Sequence, residues 1–186
     1  MVLSDKDIKK AIKEKRIAFE PKLLNEQIGP SSVDFKLSNK FKLFQTNNLS
    51  LIDTKKPLPK KFMDVYDLKD GEPYILHPGD FVLTSTIEYM KLSNDLFVQV
   101  EGKSTLARMG ILTHTAGFID PGFEGTITLE ISNQSNVAVA LYAGMYICQG
   151  AFFQLTSPAS IPYSKRKKSL YFKQRGPTEA NTKNLF

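Results

Sequence analysis

An alternating run at residues 125–132 limits the fold of this chain more than any other feature. Three apolar residues fall on one side of an extended segment there, while Thr126, Thr128 and Glu130 fall on the other. Alternation with a period of two is typical of a half-buried β-strand. Similar short runs recur between turn signals such as Asp-Gly and Pro-Gly, and this arrangement predicts a mainly β fold, a barrel or a sandwich.

The other predicted elements follow from the same patterns. Residues 4–16 predict one helix, with Ser4 as its N-cap and Asp7 completing a capping box. Residues 53–70, rich in Lys and Pro, predict an exposed excursion, and residues 162–186 predict a polar C-terminal arm. The predicted strands cover residues 35–37, 41–43, 74–76, 81–85, 97–101, 125–132, 137–142 and 147–155. The length of 186 residues predicts a single domain spanning 1–186.

The composition excludes several classes of protein. The single Cys148 excludes an internal disulfide and fits a reducing cytoplasm. With only two His besides, the chain has too few N and S ligands for a zinc site, so any hydrolytic chemistry must activate water without zinc. The N-terminus lacks an apolar signal core and no apolar run could cross a bilayer, so we expect a cytoplasmic protein without a membrane partner.

The charge of the chain points to an anionic partner. Its net charge is +6, which suits either nucleic acid or a highly charged small molecule. Part of the excess lies in the run KRKK at residues 165–168. That run is either a solvated tail or a surface that faces phosphate.

Residues 102–108, Gly-Lys-Ser-Thr-Leu-Ala-Arg, follow a predicted strand and open a helical turn. Backbone N–H groups at such a start, with Lys103, two hydroxyls and Arg108, form an anion site. Ser104 and Arg108 are four apart and share a helical face. The alternative is a strand-to-helix cap with surface charges.

Three further polar residues have two interpretations each. Glu130 is either solvated or, if another surface covers it, desolvated, with a raised pKa that suits general acid/base work. Asp120 precedes Pro-Gly and is either a turn residue or an acceptor for a sugar hydroxyl. Gln149 interrupts an apolar run, so it lies on an outer face or binds a specific group.

Taken together, these motifs resemble the dCTP deaminase branch of the dUTPase superfamily. The similarity covers nearly the whole chain in the expected order. The matching segments are PSSVDFKLSNKF at 30–41, GKSTLAR at 102–108, TAGFIDPGFEGTITLE at 115–130, GMYICQ at 144–149, LTSPASIPY at 155–163 and KQRGPT at 173–178.

The resemblance implies a distorted β-barrel or jelly-roll-like dUTPase fold with an N-terminal helix. It implies a homotrimer with active sites at subunit interfaces, over which residues 162–186 close as a C-terminal arm. The implied activity is zinc-independent hydrolytic deamination of dCTP at cytosine C4. Mg²⁺ would be bound through the triphosphate and water, with no metal held by the protein itself. The resemblance implies dCTP and dUTP as substrates, and it leaves open whether dTTP acts as an inhibitor.

The resemblance also implies a role for each site residue. Glu130 would be the catalytic acid/base, with Ser104 and Arg108 aligning the water, the carboxylate and the phosphates. Asp120 would bind the deoxyribose 3′-hydroxyl. Thr128 and Leu129 would meet the base through the strand backbone. The remaining nucleotide-binding residues would be Lys103, Thr105, Leu106 and Ala107 along the triphosphate, with Gln149, Tyr163 and Gln174 completing the site.

The chain departs from the family pattern at two positions. Leu170 stands where the arm usually has a lysine that contacts the triphosphate. Either Lys167, Lys168 or Lys173 substitutes for it, or the arm binds the triphosphate less tightly. The segment 114–117 is one residue shorter than usual. In that segment, Ala116 and Gly117 belong to a Thr-Ala-Gly-Phe run typical of members that also hydrolyse the triphosphate, which favours dUMP and diphosphate as products.

Three other functions stay open at this point. A monofunctional deaminase would release dUTP, and a plain dUTPase would have lost deamination. A catalytically inert nucleotide sensor or nucleic-acid-binding protein would also account for the +6 charge. The aromatic residues, however, form no stacking platform beside a basic stripe, which disfavours nucleic acid as a partner.

Overall fold

The computed structural model describes residues 1–45, 51–59, 61–114 and 117–185, of which Asn184 is described by its backbone alone. The helices are α1 (Asp5–Lys13) and α2 (Ser104–Ala107), with 3₁₀ turns at Asn25–Gln27, Tyr163–Lys165 and Thr182–Asn184. The strands are β1 (Ile17–Glu20), β2 (Ser32–Lys36), β3 (Lys40–Phe44), β4 (Met63–Asp67), β5 (Pro73–Leu76), β6 (Phe81–Leu92), β7 (Leu96–Gly102), β8 (Ile111–His114), β9 (Phe118–Ile119), β10 (Glu124–Asn133), β11 (Val139–Tyr142) and β12 (Tyr146–Gln154).

The N-terminal helix begins as its sequence predicts. The Ser4 hydroxyl accepts the Asp7 backbone N–H, and the Asp7 carboxylate accepts the Ser4 backbone N–H in return. This capping box satisfies two N–H groups that the helix cannot bond internally. Ile8 and Ala11 are buried and attach α1 to the core. Among the residues described, no helix has the length and apolar character to span a membrane.

The strands of the described residues form three separate sheets. The largest follows the order β4-β3-β6-β10-β8, with β1 on β6 as well. A second sheet follows the order β2-β12-β7-β9, and β5 pairs with β11. The predicted mainly β fold with an N-terminal helix is therefore confirmed. Within the described residues, the sheets are not closed into one barrel, because no strand at the edge of one sheet pairs with a strand of another.

The alternation at residues 125–132 has the predicted effect on burial. Ile127, Leu129 and Ile131 are buried on the core side of β10, while Thr128 and Glu130 keep partial exposure. The central core adds large side chains from both main sheets, including the fully buried Phe35, Phe41 and Phe152. The strand therefore presents Thr128 and Glu130 on the face opposite the core, whereas Thr126 and Ser132, on the same side of the alternation, are buried at 7% and 5% exposure.

The predicted excursion at 53–70 is exposed over most of its described residues, but its second half contains a strand that the sequence pattern does not predict. Met63–Asp67 form β4, which pairs with β3, and Phe62 and Met63 are buried. The Lys- and Pro-rich composition of the first half concealed the strand that follows. Strands β1, β8 and β9 were also missed, because two to four residues give too short an alternation to recognise.

A polar cluster connects the end of α1 with two strand ends. Arg16 Nη2 lies 2.5 Å from Asp95 Oδ2 and also donates to Gln154. Ser93 Oγ donates to Asp95 Oδ1 at 2.5 Å. Burial alone would raise the pKa of Asp95, but hydrogen bonds from Ser93, Gln154 and Arg16 outweigh it and lower this pKa to about 2.

We expect Asp95→Asn to lower the free energy of unfolding by about 2 kcal/mol at pH 7, since one pKa unit corresponds to about 1.4 kcal/mol. The native pKa of Asp95 lies below its unfolded value, so this stabilisation is present above about pH 4. It is lost as the pH falls towards 2. Urea unfolding of both proteins at pH 7 and at pH 3 measures the difference. A difference that does not shrink at pH 3 would contradict this origin.

Candidate active site

A cavity of about 400 Å³ lies on the polar face of β10. Glu130 and Thr128 line it from that strand, and Asp120 lines it from the turn that precedes the strand. Three aromatic side chains from β3, β6 and the approach to β4 form an apolar wall: Phe44, Phe81 and Phe62. A single carboxylate on the strand therefore faces a largely apolar enclosure.

The register of the sheet determines what lies beside Glu130. It pairs with Leu83 of β6 on one side and with His114 of β8 on the other. Leu83 in turn pairs with Lys42 of β3. Residues directly opposite each other in antiparallel strands point to the same face, so these four side chains form one row across the sheet.

Burial changes the proton affinity of Glu130. Removal from water raises the pKa of its carboxyl above the ordinary glutamate value, and the residue's own backbone N–H opposes this effect only in part. Desolvation penalises the charged form of an acid, which is the physical cause of the rise. A carboxyl with a raised pKa can both accept and return a proton near neutral pH.

The C-terminal arm docks on the edge of β10 beside a bulge in that strand. The register of β10 against β6 shifts between Thr126 and Thr128, and there the Ile127 N–H donates to Thr86 Oγ1 at 3.0 Å. Gln174 binds the neighbouring Thr126 backbone: its backbone oxygen accepts the Thr126 N–H at 3.0 Å, and its Nε2 donates to the Thr126 oxygen at 2.8 Å. Gly125, with φ +155°, permits this approach, because a Cβ there would lie 3.1 Å from Gln174.

Other arm residues cover the same cavity. The Tyr163 backbone N–H donates to Pro121 O at 2.7 Å, and the Tyr163 hydroxyl accepts the Tyr171 N–H at 3.2 Å. Further along, the Thr178 N–H donates to Thr128 Oγ1 at 3.2 Å. The arm thereby reaches within two positions of Glu130 on the strand.

A second polar group lies on the four-stranded sheet. Lys103 Nζ lies 2.9 Å from both carboxylate oxygens of Asp34. Gln149 pairs with Asp34 on one side and with Glu101 on the other. From Lys103, the chain enters α2, in which Leu106 is buried while Ser104, Thr105, Ala107 and Arg108 are exposed.

The predicted site residues therefore fall into two groups. Gly117, Asp120, Thr128, Glu130, Tyr163 and Gln174 line one cavity. Residues 103–108 and Gln149 are not among its described lining residues, and Leu129 is fully buried behind it. Ala116 lies outside the described residues. The individual roles of all these residues stay predictions.

Neither the apolar wall nor the second cavity beside this one was predicted from the sequence. Phe44 and Phe81 carry the alternation of β3 and β6, but no local signal connects them with Glu130. A second cavity of about 550 Å³ adjoins the first and is lined by Leu170 and Lys42, among others. Lys173, one of the predicted substitutes for the arm lysine, has its Nζ 5.5 Å from the centre of the Phe172 ring.

The fold is mainly β, and residues of its own C-terminal arm line a cavity that also holds the Glu130 carboxyl. The family model described as "dCTP deaminase-like" matches residues 2–155. The chain therefore belongs to the dCTP deaminase-like family.

Its relatives match over nearly their full length. A protein of Dictyoglomus turgidum named "dCTP deaminase, dUMP-forming" is 49% identical over 180 residues, which cover 96% of this chain and 93% of that protein. A protein of the same name from Methanobrevibacter smithii is 43% identical and matches over 98% of this chain and 95% of its own length.

One solved structure supports the fold. The crystal structure of 2′-deoxycytidine 5′-triphosphate deaminase from Agrobacterium tumefaciens matches with a TM-score of 0.64 and 22% identity. The match covers 81% of this chain but 47% of that one, so this chain spans about half its length. At this identity, the likeness describes the fold alone.

Proposed function

We propose that this protein is a hydrolase that converts dCTP and two waters into dUMP, ammonia and diphosphate. The observation that carries the proposal is Glu130, a partly buried carboxyl with a raised pKa in a cavity of about 400 Å³. The names of the relatives, "dCTP deaminase, dUMP-forming", agree with it at 43% to 49% identity.

Glu130 is the proton carrier in the proposed reaction. Its charged form takes a proton from the water that attacks cytosine C4, and the resulting acid returns a proton to the departing ammonia. The apolar wall keeps bulk water away, which strengthens the interaction of the carboxylate with the reacting atoms. Such general acid/base assistance is commonly worth about 10² to 10⁴ in rate.

The nucleotide is held from several sides. Asp120 accepts the deoxyribose 3′-hydroxyl, and the backbone of Thr128 and Leu129 meets the base. Tyr163 and Gln174 close the site from the arm. The position of Asp120 at the cavity, with Arg166 Nη1 3.6 Å from its carboxylate, supports its role as an exposed acceptor.

The phosphate-binding residues come from a neighbouring copy in a homotrimer. Two cations and two hydroxyls lie where β7 of the four-stranded sheet runs into α2, with Gln149 nearby. They belong to Lys103, Ser104, Thr105 and Arg108. Apolar side chains close to α2 in the chain are exposed, as expected for a surface that another copy covers: Met109, Leu112 and Phe118 at 46%, 40% and 66%.

Mg²⁺ accompanies the triphosphate in this proposal. Among the described residues, no three His, Cys, Asp or Glu side chains lie close enough together to hold a metal ion. The cationic residues proposed for the phosphates also suit an anion rather than a metal. As the resemblance implies, Mg²⁺ would be bound through the phosphate oxygens and water, where it would neutralise charge on the phosphates.

Gly117 supports dUMP rather than dUTP as the end product. Its φ is +83°, and a Cβ at that position would meet nothing within 4 Å. Among the described residues apart from its chain neighbours, none fills the space beside Gly117, which supports room for a second water that attacks the α-phosphate. The run Ala116–Gly117 is the segment to which we assign this second hydrolysis.

Product analysis tests the proposal. The protein is incubated with dCTP and Mg²⁺, and separately with dUTP and Mg²⁺, and nucleotides and ammonia are measured. We expect dUMP, diphosphate and ammonia from dCTP. Accumulation of dUTP would mean a monofunctional deaminase, turnover of dUTP alone would mean a dUTPase, and no turnover would reject an enzyme of this kind.

The raised pKa of Glu130 predicts a pH dependence. The charged carboxylate is needed to accept the first proton, so activity should fall as the pH falls through the raised pKa. We expect kcat/KM for dCTP to decline on the acid side above the ordinary glutamate range of about 4.3. Initial rates between pH 4.5 and 9 measure it, with thermal unfolding as the control. A rate that stays constant down to that range would contradict this role.

A further inference from the structure

The second cavity contains a set of charges that the proposed site does not use. The described residues that line it include three cations, Lys42, Arg175 and Lys183, and one carboxylate, Glu179. Lys42 Nζ lies 3.0 Å from Glu179 Oε1, and their side chains keep only 21% and 31% exposure. The second cavity therefore carries an excess of positive charge, and its Lys42–Glu179 ion pair is largely shielded from water.

This cavity adjoins the one that holds Glu130. Tyr171, Thr178 and Ala180 of the arm line both cavities. Lys42 also lies on the same face of the sheet as Glu130, two strands away through Leu83. Two steps between neighbouring strands amount to roughly 10 Å. A nucleotide whose pyrimidine ring lies at Glu130 can therefore place its phosphate chain towards Lys42.

Leu170 marks a position in the second cavity where the resemblance leads us to expect a positive charge for a triphosphate. It lines the second cavity at the arm position where the family pattern has a lysine, so one positive charge is missing from the arm itself. Lys42 of β3 brings a positive charge into the same cavity. Arg175 is less available, since it lies 3.3 Å from Glu20 and 4.3 Å from the centre of the Tyr89 ring.

We infer that the second cavity binds the outer phosphates of the nucleoside triphosphate through Lys42, in addition to the residues of the neighbouring copy to which the proposed function assigns phosphate binding. In the free protein the Lys42 ammonium is paired with the Glu179 carboxylate, and the phosphates replace that carboxylate as its partner. This inference rests on the proposed function, because it assumes a nucleotide whose base lies at Glu130. It adds a binding residue on β3 that compensates for Leu170.

Three substitutions in a Glu130→Gln background, where turnover is suppressed, test this role by calorimetric binding of dCTP and dCMP with Mg²⁺. Lys42→Met should weaken dCTP binding by about tenfold or more, since hydrogen bonds to charged groups are individually strong. It should change dCMP binding less than twofold. Glu179→Gln should tighten dCTP binding by about two- to fivefold, because a competing and repelling carboxylate is removed. Lys9→Met is the matched control, as Lys9 pairs with Asp5 on α1 at 3.5 Å.

The two substitutions are expected to change dCTP affinity in opposite directions, and this distinguishes phosphate binding by Lys42 from a structural role of the ion pair. If the pair only fastened the arm, Lys42→Met and Glu179→Gln would both weaken dCTP and dCMP to a similar degree, and the inference would be rejected. Unchanged dCTP binding in Lys42→Met would reject it as well. Turnover of dCTP by the otherwise unmodified protein is measured separately, so failure of the proposed function is recognised by its own result. No dCTP binding at all would overturn both.

Discussion

Replacing Glu130 by Gln should lower the rate of dCTP deamination by about 10³-fold or more, near the upper range of acid/base effects. Gln keeps the size of the side chain but cannot carry a proton between the attacking water and the departing ammonia. The cavity and its apolar wall should stay intact, so dCTP should still bind. Single-turnover rates with saturating dCTP measure the chemical step directly.

The same variant should not unfold more easily. Burial raises the pKa of Glu130, so the charged carboxylate destabilises the folded state at pH 7 and its replacement by a neutral group relieves that cost. We expect the melting temperature to rise by about 1 to 3 °C. The control is Glu124→Gln on the same strand, whose carboxylate is bound by Tyr89 and Lys91. Retention of full activity in Glu130→Gln would reject Glu130 as the proton carrier.

Two inactive variants should restore each other's activity when they share an oligomer. Arg108→Ala alone should lower the rate by about 10²-fold or more, as the loss of one preorganised donor at a reacting centre commonly does. Because Arg108 is not among the described residues that line the Glu130 cavity, the proposed site takes these two residues from different copies. Mixed with Glu130→Gln subunits, Arg108→Ala subunits should form some sites with both residues intact.

The size of the recovery can be estimated. If subunits mix at random in equal amounts, roughly one site in four receives an intact glutamate from one copy and an intact arginine from the next. Activity should therefore recover to about a quarter of that of the original protein. Native mass spectrometry verifies the mixing. The control mixes Glu130→Gln with a variant that carries both changes, which should show no recovery. Mixed oligomers that remain inactive would mean that both residues serve a site within one copy.

Features that depend on neighbours in the chain could be predicted from the sequence, and features that depend on distant strands could not. The capping box at Ser4 and the alternation around Leu129 involve neighbours in the chain, and both were predicted correctly. Strand β4 was missed because its pairing with β3 is what makes it a strand. The short strands β1 and β9 likewise owe their extended form to partners elsewhere in the chain.

The candidate site shows the same division. Asp120, Thr128, Glu130, Tyr163 and Gln174 were proposed together from their motifs, and they line one cavity. Lys42 was not proposed, because its place beside that cavity arises from the register of three strands, and nothing along the chain relates it to Glu130. The wall formed by Phe44, Phe62 and Phe81 was missed for the same reason.

The bulge in β10 has a consequence for how this protein can change during evolution. The irregularity between Thr126 and Thr128 turns the Ile127 N–H to Thr86 Oγ1, and the residue immediately before it, Thr126, is the one to which Gln174 binds. A one-residue deletion at this point would give a more regular sheet, and it would also reverse the side to which the Thr126 backbone points relative to the residues that line the cavity. Selection for a sturdier sheet and selection for a covered cavity therefore act in opposite directions at the same few residues.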